Sequence, residues 1–172
     1  GCRIRSVRLL PEHSKALGAA VEAIHSADMI VLAPGSLYTS IIPNLLVDGI
    51  ADAIRDSKAL KLYVCNVMTQ EGETEGYTVS DHIQALFSHS YPGLFRLCLT
   101  NSTPIPEVIA LRYAQEGAEP IRHDVEKCRA LGVELIDRPV AALENGLVRH
   151  NPGHLAHELM TIYEEYKPKD PA

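Results

Sequence analysis

The feature of the sequence that most constrains its fold is a short apolar run that leads through a loop of small residues into a helical pattern. The run is Met29-Ile30-Val31-Leu32, and the loop is Ala33-Pro34-Gly35-Ser36-Leu37-Tyr38-Thr39-Ser40. A wholly apolar run of this length is typical of a central parallel strand that is covered on both faces. The segment therefore predicts a strand, a loop and a helix in that order, which is the building unit of an α/β fold.

The same loop suggests a bound anion. Gly35 lets the backbone approach a ligand closely, and the N-terminus of the following helix carries partial positive charge. The hydroxyl groups of Ser36, Tyr38, Thr39 and Ser40 are suited to donate hydrogen bonds to phosphate oxygens. A tight turn with a hydroxyl cap explains the same residues, so the loop by itself leaves both interpretations open. The sequence contains neither a Walker A loop nor the G-x-G-x-x-G pattern of dinucleotide-binding proteins.

Strands and helices alternate along the rest of the chain. Apolar runs predict strands at residues 60–67, 94–100, 133–136 and 146–150, and polar–apolar alternation predicts a half-buried strand at residues 3–10. Apolar residues at helical spacing predict helices at residues 14–27, 44–57, 80–89, 104–115, 125–131 and 152–166. The alternation indicates an α/β fold with a mainly parallel sheet.

Composition excludes several classes of protein. The formal net charge of −6 argues against a nucleic-acid partner, and no apolar window approaches the length of a membrane span. The four cysteines form no C-x-x-C pair, and Cys65 and Cys98 lie in apolar runs where they are expected to be core residues. We therefore expect a reduced, cytoplasmic protein.

Polar residues follow the predicted strands at one edge of the sheet. Loops begin at Ala33, Val67 and Thr100, each directly after a predicted strand. Because ligands of parallel sheets bind beyond the carboxyl ends of the strands, we expect these loops to line one crevice. Asn66 and Thr69 stand at a strand end, where polar side chains suit a ligand better than a core.

Acidic residues of the second loop are weaker candidates. Glu71, Glu73 and Glu75 have the chemistry to bind a divalent ion, but three glutamates in one loop are more often solvated. Asp81 and His82 are adjacent, so on a helix their side chains point about 100° apart. Asp81 is predicted to stabilise the helix N-terminus rather than to form an acid–base pair with His82.

Two residues in the C-terminal part suit a nucleotide. The ring of Tyr113 is able to stack on a nucleobase, and Arg149 is able to bind a diphosphate with two parallel hydrogen bonds. The alternatives are an ordinary residue of an amphipathic helix for Tyr113 and a surface charge for Arg149.

Two long motifs resemble the signature of the bacterial gluconeogenesis factor family. They are Pro34-Gly35-Ser36-Leu37-Tyr38-Thr39-Ser40-Ile41-Ile42-Pro43-Asn44-Leu45-Leu46 and Tyr63-Val64-Cys65-Asn66-Val67-Met68-Thr69-Gln70, the second continued by Gly72-Glu73-Thr74 and Tyr77-Thr78-Val79-Ser80-Asp81-His82. The run Val148-Arg149-His150 fits as well. That family is in turn similar to 2-phospho-L-lactate transferase, which builds a deazaflavin cofactor. The resemblance covers essentially the whole chain, but only about the C-terminal half of the family.

The resemblance implies a Rossmann-like three-layer α/β fold and a regulatory protein that binds a uridine-diphosphate sugar, such as uridine-diphosphate N-acetylglucosamine. It links the chain to gluconeogenic growth, cell shape and cell-wall synthesis; it implies no cofactor and leaves assembly into a homo-oligomer open. The implied ligand-binding residues are Gly35, Ser36, Tyr38, Thr39, Ser40, Asn66, Thr69, Tyr113 and Arg149. No reaction is established for the family as a class. A metal-dependent transferase of the phospho-lactate type and an interaction module with a vestigial crevice are the alternatives.

The sequence departs from the family pattern in three places. The glycine-rich N-terminal loop of the family, with its nearby Asp-Asp-Gly-Gly, is absent; Ala33 replaces a usual Gly, and Asn151 stands where Asp is common. A strand-like run also begins almost at the first residue. We therefore expect residues 1–166 to be the C-terminal portion of a single domain that carries part of the ligand site, followed by a loose tail at residues 167–172.

Overall fold

Four parallel strands form a sheet whose order across the sheet follows the order in the sequence. The computed structural model describes residues 4–167 of the chain. The strands of the sheet are β1 (Met29–Leu32), β2 (Leu60–Val64), β3 (Leu97–Asn101) and β4 (Glu134–Arg138). A separate antiparallel hairpin consists of β5 (Ala141–Glu144) and β6 (Leu147–His150). The predicted α/β fold with a parallel sheet is confirmed, although the sequence pattern did not predict β5.

Helices occupy both faces of the sheet. They are α1 (Gly18–Ser26), α2 (Ile42–Leu45), α3 (Ile50–Asp56), α4 (Val79–Ser88), α5 (Glu107–Gln115), α6 (Val125–Ala130) and α7 (Pro152–Tyr166). Within residues 4–167, no helix combines the length and the apolar character needed to cross a membrane.

The side chains of the central strands divide the core into two parts. Tyr63, Cys65 and Cys98 are almost fully buried on one face, where they pack with residues of α1, α2, α3, α4 and α6. Leu62 and Leu99 point to the other face and pack against α7. Because successive residues of a strand point to opposite faces, one sheet is buried on both sides and the fold has three layers. The expectation that Cys65 and Cys98 are small core residues is confirmed.

The helix predicted at residues 44–57 is wrong, because the chain turns in its middle. Gly49 has a φ of 94°, a left-handed conformation that ends one helical segment and precedes α3. The backbone of Asp48 is hydrogen-bonded outside the helix, to the carbonyl of Ser14 and the N–H of Ala16. These tertiary contacts override the apolar periodicity, which continues unbroken through the turn.

The strand predicted at residues 3–10 is also wrong over the described residues 4–10. Ile4 and Val7 pack against the core, and the N–H of Val7 donates to Nε2 of His89, 3.2 Å away. The alternating pattern therefore reflects packing of two apolar side chains rather than pairing within a sheet. Arg3, at the start of that prediction, and residues 168–172 of the predicted tail lie outside the described residues.

The first turn of α4 is held by a cluster of side-chain hydrogen bonds. Thr78 and Asp81 form a capping box, in which each side chain bonds to the backbone N–H of the other residue. Asp124 accepts from the N–H and the hydroxyl of Ser80 and from the hydroxyl of Thr78. Burial raises the pKa of Asp124, but these hydrogen bonds from Ser80 and Thr78 outweigh burial and hold it below its usual value. The predicted role of Asp81 at the helix N-terminus is confirmed.

Candidate ligand-binding crevice

The strand register brings the first two loops together at the carboxyl edge of the sheet. Leu32, the last residue of β1, pairs with Tyr63 of β2, and Val64 pairs with Leu99 of β3. The segments that follow Leu32 and Val64 therefore leave the sheet side by side. This is the edge at which α/β proteins bind ligands.

Asn66 links these two loops directly. Its Nδ2 donates to the Gly35 carbonyl over 2.8 Å, and its Oδ1 accepts from the Gly35 N–H over 3.2 Å. A second bridge joins the hydroxyl of Ser36 to Oε1 of Gln70 at 2.9 Å. The predicted proximity of the Gly35 loop and Asn66 is thus seen as a pair of specific contacts.

A buried carboxylate occupies the N-terminus of the turn that follows Gly35. Residues Leu37–Ile41 form a π-helical turn, and Oε1 of Glu73 accepts from the N–H groups of Tyr38 and Thr39 at 3.0 and 3.1 Å. Glu73 is only 7% exposed. The expectation that Glu73 is solvated is therefore wrong: its Oε1 accepts from two backbone N–H groups, and its Oε2 is buried without a hydrogen-bond partner among residues 4–167. These two N–H groups are already occupied by a side chain of the protein.

A crevice of about 390 Å³ lies beside these loops. Its walls come from three separate segments, and the lining residues include Pro34, Gly35, Ser36, Asn66, Val67, Met68, Gln70, Val148, Arg149 and His150. Four of the predicted site residues, namely Gly35, Ser36, Asn66 and Arg149, are thus brought together, although they span more than a hundred positions of the sequence.

Two side-chain contacts place the β5–β6 hairpin at the crevice. The hydroxyl of Tyr113 accepts from the N–H of Val148 at 2.9 Å, and Oδ1 of Asn101 accepts from the N–H of Ala141 at 2.9 Å. Tyr113 also packs with Val67, Ala141 and Val148. Tyr113 therefore contacts the hairpin at Val148, the residue before Arg149, and does not line the crevice itself.

Arg149 and His150 present two different nitrogen groups at the crevice. Arg149 is exposed, and its guanidinium has no hydrogen bond or ion pair to residues 4–167. Nε2 of His150 is buried and has no hydrogen-bond partner among those residues. Burial lowers the pKa of His150, and a hydrogen bond with the backbone of Cys65 acts in the opposite direction. Sequence reasoning did not select His150 as a site residue, although it stands in the Val148-Arg149-His150 motif.

Other predicted site residues do not line this crevice. Tyr38 is buried, and its hydroxyl lies 2.9 Å from the hydroxyl of Tyr77, with its pKa raised by burial and by Tyr77. Thr69 is 4% exposed, and its hydroxyl accepts from the N–H of Glu119. Thr39 and Ser40 are exposed, and Ser40 borders a separate apolar cavity along β1.

The described part of the chain contains no ready-made metal centre. Within residues 4–167, no three His, Cys, Asp or Glu side chains are grouped so that they could hold a metal ion. In the acidic loop, Glu73 caps the π-helical turn and Oε1 of Glu75 accepts from the N–H of Gly72.

Comparison with known proteins identifies the family. The model of the 2-phospho-L-lactate transferase CofD family matches residues 1–141. The chain belongs to the CofD family. Among curated proteins, this CofD-family chain is 45% identical to the gluconeogenesis factor of Halalkalibacterium halodurans, over 93% of the chain and 50% of that protein. It is 41% identical to the gluconeogenesis factor of Bacillus subtilis, over 96% of the chain and 52% of that protein.

Solved structures agree with this assignment. A crystal structure of a Bacillus halodurans protein superimposes with a TM-score of 0.88 at 45% identity, covering 92% of the chain and 51% of that protein. The resemblance to gluconeogenesis factors is therefore confirmed. The chain spans about half the length of the curated relatives it matches.

Proposed function

We propose that this CofD-family chain contributes one side of a site for a uridine-diphosphate sugar in a cytoplasmic regulatory protein of gluconeogenic growth. The observation that carries the proposal is the meeting of Gly35, Asn66 and Arg149 at one crevice. The names of the relatives, which are gluconeogenesis factors, support the physiological part of the proposal. The link to cell shape and cell-wall synthesis, implied by the resemblance, belongs to the same proposal.

The chemistry of the crevice supports a diphosphate site at Arg149. The guanidinium of Arg149 is without an ionic partner among residues 4–167 and is suited to bind a diphosphate through two parallel hydrogen bonds. The N–H and carbonyl groups of Gly35 are both hydrogen-bonded to Asn66, and a Cβ atom at Gly35 would lie 3.4 Å from Cβ of Ser40. The two N–H groups at the start of the π-helical turn are occupied by Glu73, so the phosphate-binding role falls on Arg149.

We further propose that residues 1–166 form part of one domain and that the glycine-rich half typical of the family completes the nucleotide site. The share of about 50% of the relatives' length supports this division. Ligand affinity should therefore be measured on the full-length protein.

Isothermal titration calorimetry with uridine-diphosphate N-acetylglucosamine tests the proposal. We expect saturable heat with the full-length protein and weaker binding of guanosine-diphosphate N-acetylglucosamine, which carries the same diphosphate and sugar but a different base. Absence of heat at millimolar uridine-diphosphate N-acetylglucosamine would remove the proposal.

The family description favours a second candidate, a transferase that moves a phosphate-containing group from a nucleotide-activated donor to an acceptor hydroxyl. Such a reaction would use a divalent metal. The two functions are distinguished by incubating the full-length protein with magnesium, a nucleotide-activated donor of 2-phospho-L-lactate and an acceptor that carries a free hydroxyl, so that the acceptor oxygen forms the new bond to phosphorus and a nucleoside monophosphate leaves. Formation of product identifies a transferase, whereas binding without turnover identifies a ligand-binding protein.

A further inference from the structure

A second cavity lies directly beside the crevice. It has a volume of about 340 Å³, and Asn66 and Val67 line both spaces. Its other walls include Asn101, which is the last residue of β3, and His123, which lies just before α6. The apolar side chain of Ile121 also lines it. A ligand bound in the crevice could therefore extend into this second cavity past Asn66 and Val67.

His123 is held at this cavity through one of its two ring nitrogens. Its Nδ1 lies 3.0 Å from Oδ1 of Asp137, and the hydroxyl of Thr100 donates to the same carboxylate oxygen. The His123 side chain is 28% exposed. Because Nδ1 of His123 lies beside the carboxylate of Asp137, Nε2 is the ring nitrogen that has no protein partner among residues 4–167 and is free for a ligand.

The amide side chains at the cavity each use one donor and the acceptor oxygen in hydrogen bonds within the protein. Asn101 accepts from the N–H groups of Thr103 and Ala141 and donates to the Thr103 carbonyl, and Asn66 exchanges two hydrogen bonds with Gly35. Nε2 of His123 makes no hydrogen bond to residues 4–167. A lining of apolar side chains together with amide, hydroxyl and imidazole groups matches a sugar ring, which has both carbon-bound hydrogens and hydroxyl groups.

We propose that this cavity binds the sugar portion of the nucleotide ligand and that Nε2 of His123 hydrogen-bonds to a sugar hydroxyl or amide. The proposal rests on the uridine-diphosphate-sugar function proposed above. The shared wall of Asn66 and Val67 places the sugar next to the diphosphate at Arg149. Asp137 is a positioning residue, because it contacts His123.

Two substitutions of His123 separate ligand binding from a structural role. In His123→Asn, the amide nitrogen replaces Nδ1 and keeps the contact with Asp137, but nothing replaces Nε2. In His123→Gln, the amide lies near the position of Nε2 and the contact with Asp137 is lost. His154→Asn, at an exposed histidine of α7, serves as the matched control.

Calorimetry with uridine-diphosphate N-acetylglucosamine and with uridine diphosphate is carried out on each full-length variant, after thermal unfolding has established that it is folded. We expect His123→Asn to lose about threefold to tenfold in affinity for the nucleotide sugar, as for one hydrogen bond, with the affinity for uridine diphosphate unchanged. We expect His123→Gln to retain most of the affinity for the sugar ligand, and His154→Asn to retain all of it.

An unchanged ratio of the two affinities in His123→Asn would overturn the sugar cavity while leaving the proposed function intact. A larger loss in His123→Gln than in His123→Asn would also overturn it, since that pattern belongs to the Asp137 contact alone. If the unaltered protein binds neither ligand, the proposed function itself fails.

Discussion

Asn66 and Gly35 hydrogen-bond to each other twice, with the amide of Asn66 donating to the carbonyl of Gly35 and accepting from its N–H. This pair joins the loop after β1 to the loop after β2 across the carboxyl edge of the sheet. A side-chain amide is suited to this contact because it carries one donor group and one acceptor group. The side chain of Asn66 therefore makes two of the hydrogen bonds that attach the first wall of the crevice to the second.

Replacing the amide of Asn66 by a carboxylate should weaken this attachment. Asn66→Asp keeps the acceptor for the Gly35 N–H but removes the donor and sets a negative charge against the Gly35 carbonyl. We expect the free energy of unfolding, measured by urea titration at pH 7, to fall by about 1–3 kcal/mol. Asn44→Asp is the control, since the amide of Asn44 makes a single exposed hydrogen bond to the carbonyl of Ser40. An equal loss in the two variants would show that the pairing with Gly35 has no special weight.

Glu73 should stabilise the π-helical turn through its carboxylate. Glu73→Ala leaves the N–H groups of Tyr38 and Thr39 without their acceptor, so we expect a loss of about 3 kcal/mol in the free energy of unfolding. Glu73→Gln retains an acceptor oxygen and should lose less than half as much. Glu71→Ala, at an exposed position of the same loop, should have little effect. If Glu73→Ala unfolds like the unaltered protein, the carboxylate is not needed for the turn.

Arg149 should determine affinity for the diphosphate without affecting the fold. We expect Arg149→Ala to lose about 2–3 kcal/mol of binding free energy for uridine-diphosphate N-acetylglucosamine, as for a charge-assisted hydrogen bond. Because Arg149 is exposed and has no ionic partner among residues 4–167, its thermal unfolding temperature should not change. Arg129→Ala is the control: it removes an arginine that pairs with Glu126, and this variant should bind the nucleotide sugar with unchanged affinity. Unchanged affinity in Arg149→Ala would refute the assigned role.

Buried histidine should make the protein less stable as the pH falls below neutrality. Burial lowers the pKa of His82, whose Nδ1 contacts the carbonyl of Thr78 at 2.9 Å. The unfolded chain binds a proton at the ordinary pKa of about 6.5, whereas the folded chain binds it only at lower pH. The stability associated with neutral His82 is therefore fully present above pH ~6.5 and declines below it, by at most about 1.4 kcal/mol per pH unit.

Urea unfolding at pH 7, 6 and 5 measures this decline. In His82→Asn, an amide nitrogen can replace Nδ1 toward Thr78 but does not titrate, so the free energy of unfolding should fall less steeply with decreasing pH. His25→Asn, at an exposed position of α1, should leave the slope unchanged. If the free energy of unfolding falls equally steeply with pH in His82→Asn and in the unaltered protein, the pH dependence belongs to other groups. His150 is one of them, because its pKa is also lowered.

The sequence predicted the elements whose pattern is local. The wholly apolar run at Met29–Leu32 is β1, and the helix at Pro152–Tyr166 was predicted with its observed ends, because Pro152 and the polar tail mark them. Patterns failed where distant contacts decide the backbone. The helix predicted through Gly49 is broken by hydrogen bonds from Asp48 to the segment near Ser14, more than thirty residues away.

The sequence by itself determined the alternation of strands and helices, the family and the polar residues that stand at strand ends, because these depend on residue type and spacing along the chain. Only the tertiary structure decided which of those residues meet. It places Gly35, Asn66 and Arg149 at one crevice and buries Tyr38 and Thr69. It also pairs the backbone N–H groups of Tyr38 and Thr39 with the carboxyl group of Glu73. The register of the parallel strands and the hydrogen bonds between distant residues decide which residues line the crevice. Neither can be read from a short stretch of sequence.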